Sequence, residues 1–345
     1  MLGEGKIEAV VIGDLHYDGH MCNIVPDFNK QITREVKSVL RWAENRGISN
    51  VILEGDLCHG TRLSYEAQQE LQSIFLLSKY QFYVILGNHD KISDDSAAGH
   101  SLEVFKPWIK KKFLSNVHLF EDLTDVEIDG APVRFLPYPC TKFSKSRLNI
   151  AHIEVKGSLR DNGTVNSGDK LRESEALIVS GHLHTPHKIR NTHYTGTLYQ
   201  TKFGEKPKKG FHHIRFKSVN DYDMEWIPHK PKYTLHDVVI EGQKDLARIP
   251  RNPTQLTRLI VRDGADVDPT DWINLPNVVK TSPFKTKEEL VTVLTEDLDD
   301  GNSLRINPEE YLKAWLSGQS FDDSQSKRVV RLRKRLLNGS LHSHR

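Results

Sequence analysis

The first ninety residues alternate two kinds of apolar pattern. Residues 7–12, 51–53 and 82–86 are short, nearly unbroken apolar runs, as expected of strands buried on both faces. Between them, residues 27–46 place Phe28, Ile32, Val36, Val39, Leu40 and Ala43 at helical spacing and stop at Gly47. Residues 64–80 do the same with Leu71, Ile74, Phe75 and Leu77 behind a capping serine. This β-α-β-α-β rhythm predicts parallel strands covered by helices, an α/β fold. Shorter strand-like pieces follow over 117–136 and 148–151. Another buried strand is expected at 176–179, then strand and loop over 194–210 and alternation at 211–216.

From about Val219 the texture changes. Prolines at 228, 231, 250 and 253, alternation over 235–240 and 256–261, and a helical pattern over 287–298 predict a small α+β domain. A linker is expected over 299–303. Asn307-Pro308 then opens a helix, with Glu310 at the capping-box position, and a second helix is expected over 322–337. The expected division is therefore 1–218, 219–300 and 301–345.

A chain of 345 residues is too long for one small core. It carries no apolar run of membrane-spanning length, and its start reads as a first strand, not a signal peptide. Cys22, Cys58 and Cys140 are odd in number and not in paired spacings. They point to a reducing, intracellular compartment such as the cytoplasm. The net charge of +2 excludes a molecule that binds acidic partners by bulk charge, although its lysines are clustered.

Candidate chemistry lies where the apolar strands stop. Asp14-Leu15-His16, Gly55-Asp56, Gly87-Asn88-His89-Asp90, Ala151-His152 and Gly181-His182-Leu183-His184 all follow such strands. In an α/β sheet the carboxyl ends of strands form one rim, so these residues are expected to converge. Two carboxylates, an amide oxygen and several imidazoles suit Mn²⁺, Fe²⁺ or Zn²⁺ rather than Ca²⁺. The donors outnumber the needs of one ion. Two ions about 3.5–4 Å apart, sharing a carboxylate, would clamp a phosphoryl oxygen and activate a water. Glycines before Asp14, Asp56, Asn88 and His182 allow sharp turns and close approach. Each motif alone is weak; their order and shared position are what carry the reading.

These motifs in this order resemble the calcineurin-like metallophosphoesterase superfamily, and within it the SbcD nuclease family, called meiotic recombination eleven in eukaryotes. Two stretches narrow the likeness: GDLCHG at 55–60, with a histidine three residues after the aspartate, and YTGTLYQTKFGEKPKKGFHHI at 194–214. The resemblance covers roughly residues 8–214. It implies a four-layer αββα sandwich with a small α+β capping domain and a C-terminal helical tail. It also implies that Asp14, His16 and His184 hold one divalent ion, that Asn88, His152 and His182 hold another, and that Asp56 bridges. Mn²⁺ is the first expectation, with Mg²⁺, Fe²⁺ or Zn²⁺ as alternatives. His89 matches the family's catalytic histidine, His59 a second histidine near the scissile phosphate, and Asp90 is expected to orient His89. The chain departs from the family at Ala151, where glycine is usual, and at Thr195, where proline follows the tyrosine. Cys58 reads as an inert buried thiol among hard donors.

Lys110, Lys111, Lys112, Lys142, Lys145, Lys206, Lys208 and Lys209 are candidate phosphate contacts, with a solvated surface as the bland alternative. The resemblance implies that the C-terminal helices dock on the coiled-coil root of an SMC-like ABC ATPase (SbcC-type). Tyr311, Leu312, Trp315, Leu316, Val329, Leu332 and Leu336 would form the docking stripes, or else a satellite core. A homodimer within a heterotetramer is also implied, with Phe75, Leu76 and Leu77 as candidates. The favoured function is a metal-dependent DNA nuclease, exonuclease with or without endonuclease action, in double-strand-break processing, recombination or replication. A phosphomonoesterase or small-molecule phosphodiesterase is the second reading, and a non-catalytic DNA-binding scaffold the third.

Overall fold

β1 (Ile7–Ile12), β2 (Asn50–Leu53), β3 (Gln81–Ile85) and β4 (Val117–Phe120) pair in parallel in the computed structural model, which describes residues 5–93, 99–161, 163–166, 175–267 and 275–283. Ile12 lies opposite Leu53, and Leu53 opposite Val84, so these strand ends are level. A second sheet holds β5 (Thr124–Ile128), β6 (Ala131–Leu136), β7 (Leu148–His152), β8 (Ile178–Gly181), β9 (His187–Ile189) and β10 (Thr192–Tyr194). Its order is β5-β6-β7-β8-β10-β9, with β6, β7, β8 and β10 parallel. The chain then returns to the first sheet as β11 (Lys209–Ser218), antiparallel to β1, followed by β12 (Asp221–His229).

Burial explains the unbroken apolar strands. Ile7, Ala9 and Val11 of β1, with Ile52 and Ile85, pack against Val133, Phe135, Ile150 and Val179 of the second sheet. The alternate residues Val10, Ile12, Val51 and Leu53 pack instead against α1 (Phe28–Glu44) and α2 (Tyr65–Phe75). Leu136, Ala151, Ile153, Ile178 and Tyr194 form a further cluster with the second sheet. The result is an α/β sandwich of two mixed sheets with helices, as expected. Ser64 caps α2, its Oγ accepting from the Ala67 amide at 3.1 Å. That helix ends earlier than its apolar spacing predicts. The Asn116 side chain takes carbonyls at and beyond its end, donating to Phe75 O (3.1 Å), Leu77 O (3.4 Å) and Tyr80 O (3.0 Å).

The expected boundary at 218 needs correction. It falls in the turn of the β11–β12 hairpin, and β12 remains in the first sheet as far as His229. The change in texture there marks an exposed edge strand, not a new domain. A separate parallel sheet follows: β13 (Thr234–Gly242), β14 (Gln255–Asp266) and β15 (Val278–Pro283). Gln200 ties it to the body, donating to Leu235 O (3.1 Å) and accepting from Leu235 N (2.9 Å). The helices expected over 287–298, after Asn307 and over 322–337 lie outside the described residues, as do Tyr311, Leu312, Trp315, Leu316, Val329, Leu332 and Leu336. Among the described residues no helix is long and apolar enough to cross a membrane.

Candidate metal centre

The level ends of β1, β2 and β3 set Asp14, Asp56 and Asn88 side by side, and β7 and β8 bring His152, His182 and His184 to the same place. The backbone there is contorted. Asp14 (φ 34°), His16 (φ 48°), Asp56 (φ 48°) and His182 (φ 81°) all sit in the left-handed region that side-chain-bearing residues rarely occupy. Strain concentrated at one rim is characteristic of a functional site. Two of the glycines are required by close approach. A Cβ on Gly87 would stand 2.0 Å from Asp56 Oδ1, and one on Gly181 would stand 2.7 Å from the Glu54 carbonyl oxygen.

Two donor groups form. In one, Nε2 of His16 and Nε2 of His184 face each other at 3.0 Å, with Asp14 in the same group. In the other, Asn88 Oδ1 lies 2.9 Å from both His152 Nε2 and His182 Nδ1. Asp56 Oδ2 lies between the groups, 3.2 Å from His152 Nε2 and 3.9 Å from His16 Nε2. Ligand atoms about 2.1 Å from a shared ion lie roughly 3 Å apart along a coordination edge, so this spacing fits a divalent cation. The tautomers fit as well. His152 Nδ1 lies 2.8 Å from the Glu54 carbonyl oxygen, which can only accept, so that nitrogen carries hydrogen and Nε2 is left as the donor atom. Ala151 in place of glycine has not displaced His152, which is fully buried.

The charges are mutually dependent. Burial alone would lower the His152 imidazole, but Asp56 and Asp14 raise it to about 10. Burial likewise opposes protonation of His184, yet Asp161 and Glu205 raise it to about 9. His182 is pushed down to about 3 by burial and by His152, and burial holds His16 well below its ordinary value. Asp14 is raised to about 6, chiefly by burial. Without a metal ion the rim is thus a patchwork of imidazolium, imidazole and carboxylate, a charge pattern that divalent cations can replace.

Beside the donors sit two more imidazoles. His59 and His89 stack with ring centroids 5.0 Å apart, and lie 5.5 Å and 5.0 Å from the His16 ring. His20 packs edge-on against His59, ring centroids 4.1 Å apart. Asp90 follows His89 directly in the chain. Its buried carboxylate accepts from the amides of Gly87 (2.9 Å), Cys58 (2.9 Å) and Leu57 (3.4 Å), clasping two loops together. The His59 carbonyl oxygen lies 3.1 Å from His89 Nδ1. Cys58 is fully buried, and burial, then Asp90, push its thiol well up.

Lys209 also needs correction as a DNA contact. It is buried, its Nζ donating to Glu205 Oε2 (2.7 Å), Thr197 Oγ1 (2.8 Å) and the His184 carbonyl (3.4 Å). Lys110, Lys111, Lys112, Lys142, Lys145, Lys206 and Lys208 are exposed, Lys145 paired with Glu175. Of the apolar candidates on α2 and just beyond it, Phe75 belongs to the core, Leu77 packs against it and Leu76 is exposed. Sequence reasoning missed Glu205, Asp161 and Glu54. The signal for Glu205 was its four-residue spacing from Lys209, where lysine reads as surface by default.

Paired donor groups at the carboxyl rim of a two-sheet sandwich, with imidazoles beside them, define a metal-dependent hydrolase site. The chain belongs to the calcineurin-like phosphoesterase family, whose model matches residues 8–213. It is similar to two viral proteins. One, named Putative phosphoesterase 078R, from Invertebrate iridescent virus 3, is 23% identical over 253 residues, covering 69% of this chain and 71% of its own. The other, named Putative phosphoesterase 244L, from Invertebrate iridescent virus 6, is 24% identical over 230 residues, covering 59% and 74%.

Proposed function

We propose that this phosphoesterase is a DNA nuclease that hydrolyses phosphodiester bonds with two divalent ions, Mn²⁺ foremost. The stacked His59–His89 pair beside His16 carries this reading. Asp14, His16 and His184 would hold one ion and Asn88, His152 and His182 the other, with the Asp56 carboxylate between the two groups. Ions there supply Lewis-acid activation of the phosphate and of the attacking water. The chain's own groups do the rest. With Nδ1 of His89 engaged by the His59 carbonyl, Nε2 is the nitrogen that exchanges a proton with the leaving sugar oxygen. His59 stacks on that ring and limits its rotation.

Exposed Lys206 and Lys208, on the loop that carries Glu205, favour a polyanionic substrate over a small ester. Partnership with an SMC-like ABC ATPase and homodimerisation rest on the SbcD resemblance. The test is end-labelled linear duplex with Mn²⁺ beside a chromogenic phosphodiester, with and without the ATPase. Duplex degradation that His89→Ala removes supports the reading. Rapid turnover of the small ester with intact duplex defeats it.

A further inference from the structure

The two donor groups are supported differently from behind. His152 leans on a neutral peptide carbonyl, that of Glu54. His182 has Nε2 3.9 Å from Glu154, a carboxylate already paired with Arg160 at 2.6 Å. Of the four imidazoles, His184 alone rests on a carboxylate at hydrogen-bond distance: Nδ1 lies 2.9 Å from Glu205 Oε1, with Asp161 Oδ2 at 3.3 Å, whereas the buried Nδ1 of His16 in the same group has no hydrogen-bond partner. Glu205 is itself locked. It accepts from the Thr201 amide (3.1 Å), the Thr201 hydroxyl and Lys209 Nζ (2.7 Å). The three hydrogens of the Lys209 ammonium match its three acceptors, Glu205, Thr197 and the His184 carbonyl. One buried ion pair therefore holds both the ring and the backbone of His184.

We propose that Glu205 and Lys209 are positioning residues that make the two metal positions unequal, the one served by Asp14, His16 and His184 retaining its ion more tightly. This rests on the two-ion reading above. A carboxylate on the far nitrogen of a ligating histidine fixes its tautomer and raises its basicity, and removing such support weakens metal binding roughly 10–100-fold. Lys209 keeps the Glu205 charge tolerable in the interior. Removing either partner alone leaves the other charge buried and unpaired, so the informative variant removes both.

The experiment titrates the metal-free full chain with Mn²⁺, reading free ion by electron paramagnetic resonance, and compares wild type with Glu205→Gln/Lys209→Met. Wild type is expected to bind two ions with unequal affinity. In the double variant the tighter ion weakens roughly 10–100-fold while the weaker is unchanged. On a chromogenic phosphodiester the Mn²⁺ activation constant rises, kcat recovers at saturating Mn²⁺ and KM for the ester stays put. Should the double variant not fold, Glu205→Asp, which keeps the charge but shortens its reach, is titrated instead, with a smaller shift of the same ion expected. Two ions bound with wild-type affinities in the variant, or a kcat that no Mn²⁺ concentration restores, overturns the inference and leaves the two-ion reading standing. Failure of wild type to bind an ion pair overturns that reading itself.

Discussion

The first sheet delivers Asp14, His16, Asp56 and Asn88 from the loops after β1, β2 and β3, whereas the second delivers only imidazoles, His152, His182 and His184, from β7 and β8. Oxygen donors thus come from one layer and most of the nitrogen donors from the other. Neither sheet holds a complete set. The apolar seam between them, where Val11 and Ile52 meet Phe135 and Ile150, fixes the register in which the two halves meet. Packing is therefore part of the chemistry, because close-packed interiors transmit small displacements instead of absorbing them.

The comparison breaks most completely at Asp56, which approaches His152 of the second sheet and His16 of the first. Asp56→Asn, or chelation of the wild type, is expected to abolish phosphodiester hydrolysis. The loss should exceed the roughly 10²–10⁴-fold typical of removing a general acid. Initial rates across a Mn²⁺ series would show it, and substantial activity in the variant would separate Asp56 from the centre. His89→Ala tests the first sheet's contribution alone. It is expected to lower kcat by roughly 10²–10⁴-fold while Mn²⁺ stoichiometry, read by titration, stays at the wild-type value.

A pH series separates His152 and His184 from the other buried imidazoles of the rim. His152 at about 10 and His184 at about 9 lie above the ordinary 6.5 in the metal-free protein. Groups raised in this way stabilise the metal-free fold fully below pH 6.5, and the contribution fades as pH climbs through those values. Cations compete with the same protons, so Mn²⁺ affinity should rise over that window while metal-free thermal stability falls. An affinity flat with pH would contradict the pairing. His193 and His212 provide the opposite sign, since burial lowers them to about 4 and about 3. They remain neutral in the fold, so stability should decline as pH drops from 6.5 toward those values, and His212→Gln should lessen the decline in a thermal melt.

The smallest effect belongs to the surface. Lys206→Ala/Lys208→Ala is expected to leave turnover of a small phosphodiester unchanged and to weaken duplex binding. The log–log salt slope should shrink by about one for each phosphate that the variant no longer neutralises. An unchanged slope would return these lysines to the solvated surface.

Much of this was legible along the chain because local patterns carry it. Unbroken apolar runs marked strands covered on both faces, helical spacing found α1 and α2, and polar residues just past strand ends marked the rim. The tertiary structure decided what local pattern cannot encode. Lysine at 209 and lysine at 206 look alike in sequence, yet one is buried on Glu205 and the other faces solvent. Asp90 follows His89 directly, but its carboxylate serves the amides of Leu57, Cys58 and Gly87. The strand after Ser218 reads as a new domain and instead completes the first sheet. Sequence alone determined which residue types arrive at the rim, because backbone periodicity repeats over a few residues. Which side chain faces which was settled only when distant segments packed, since burial and hydrogen-bond partners are properties of neighbours in space.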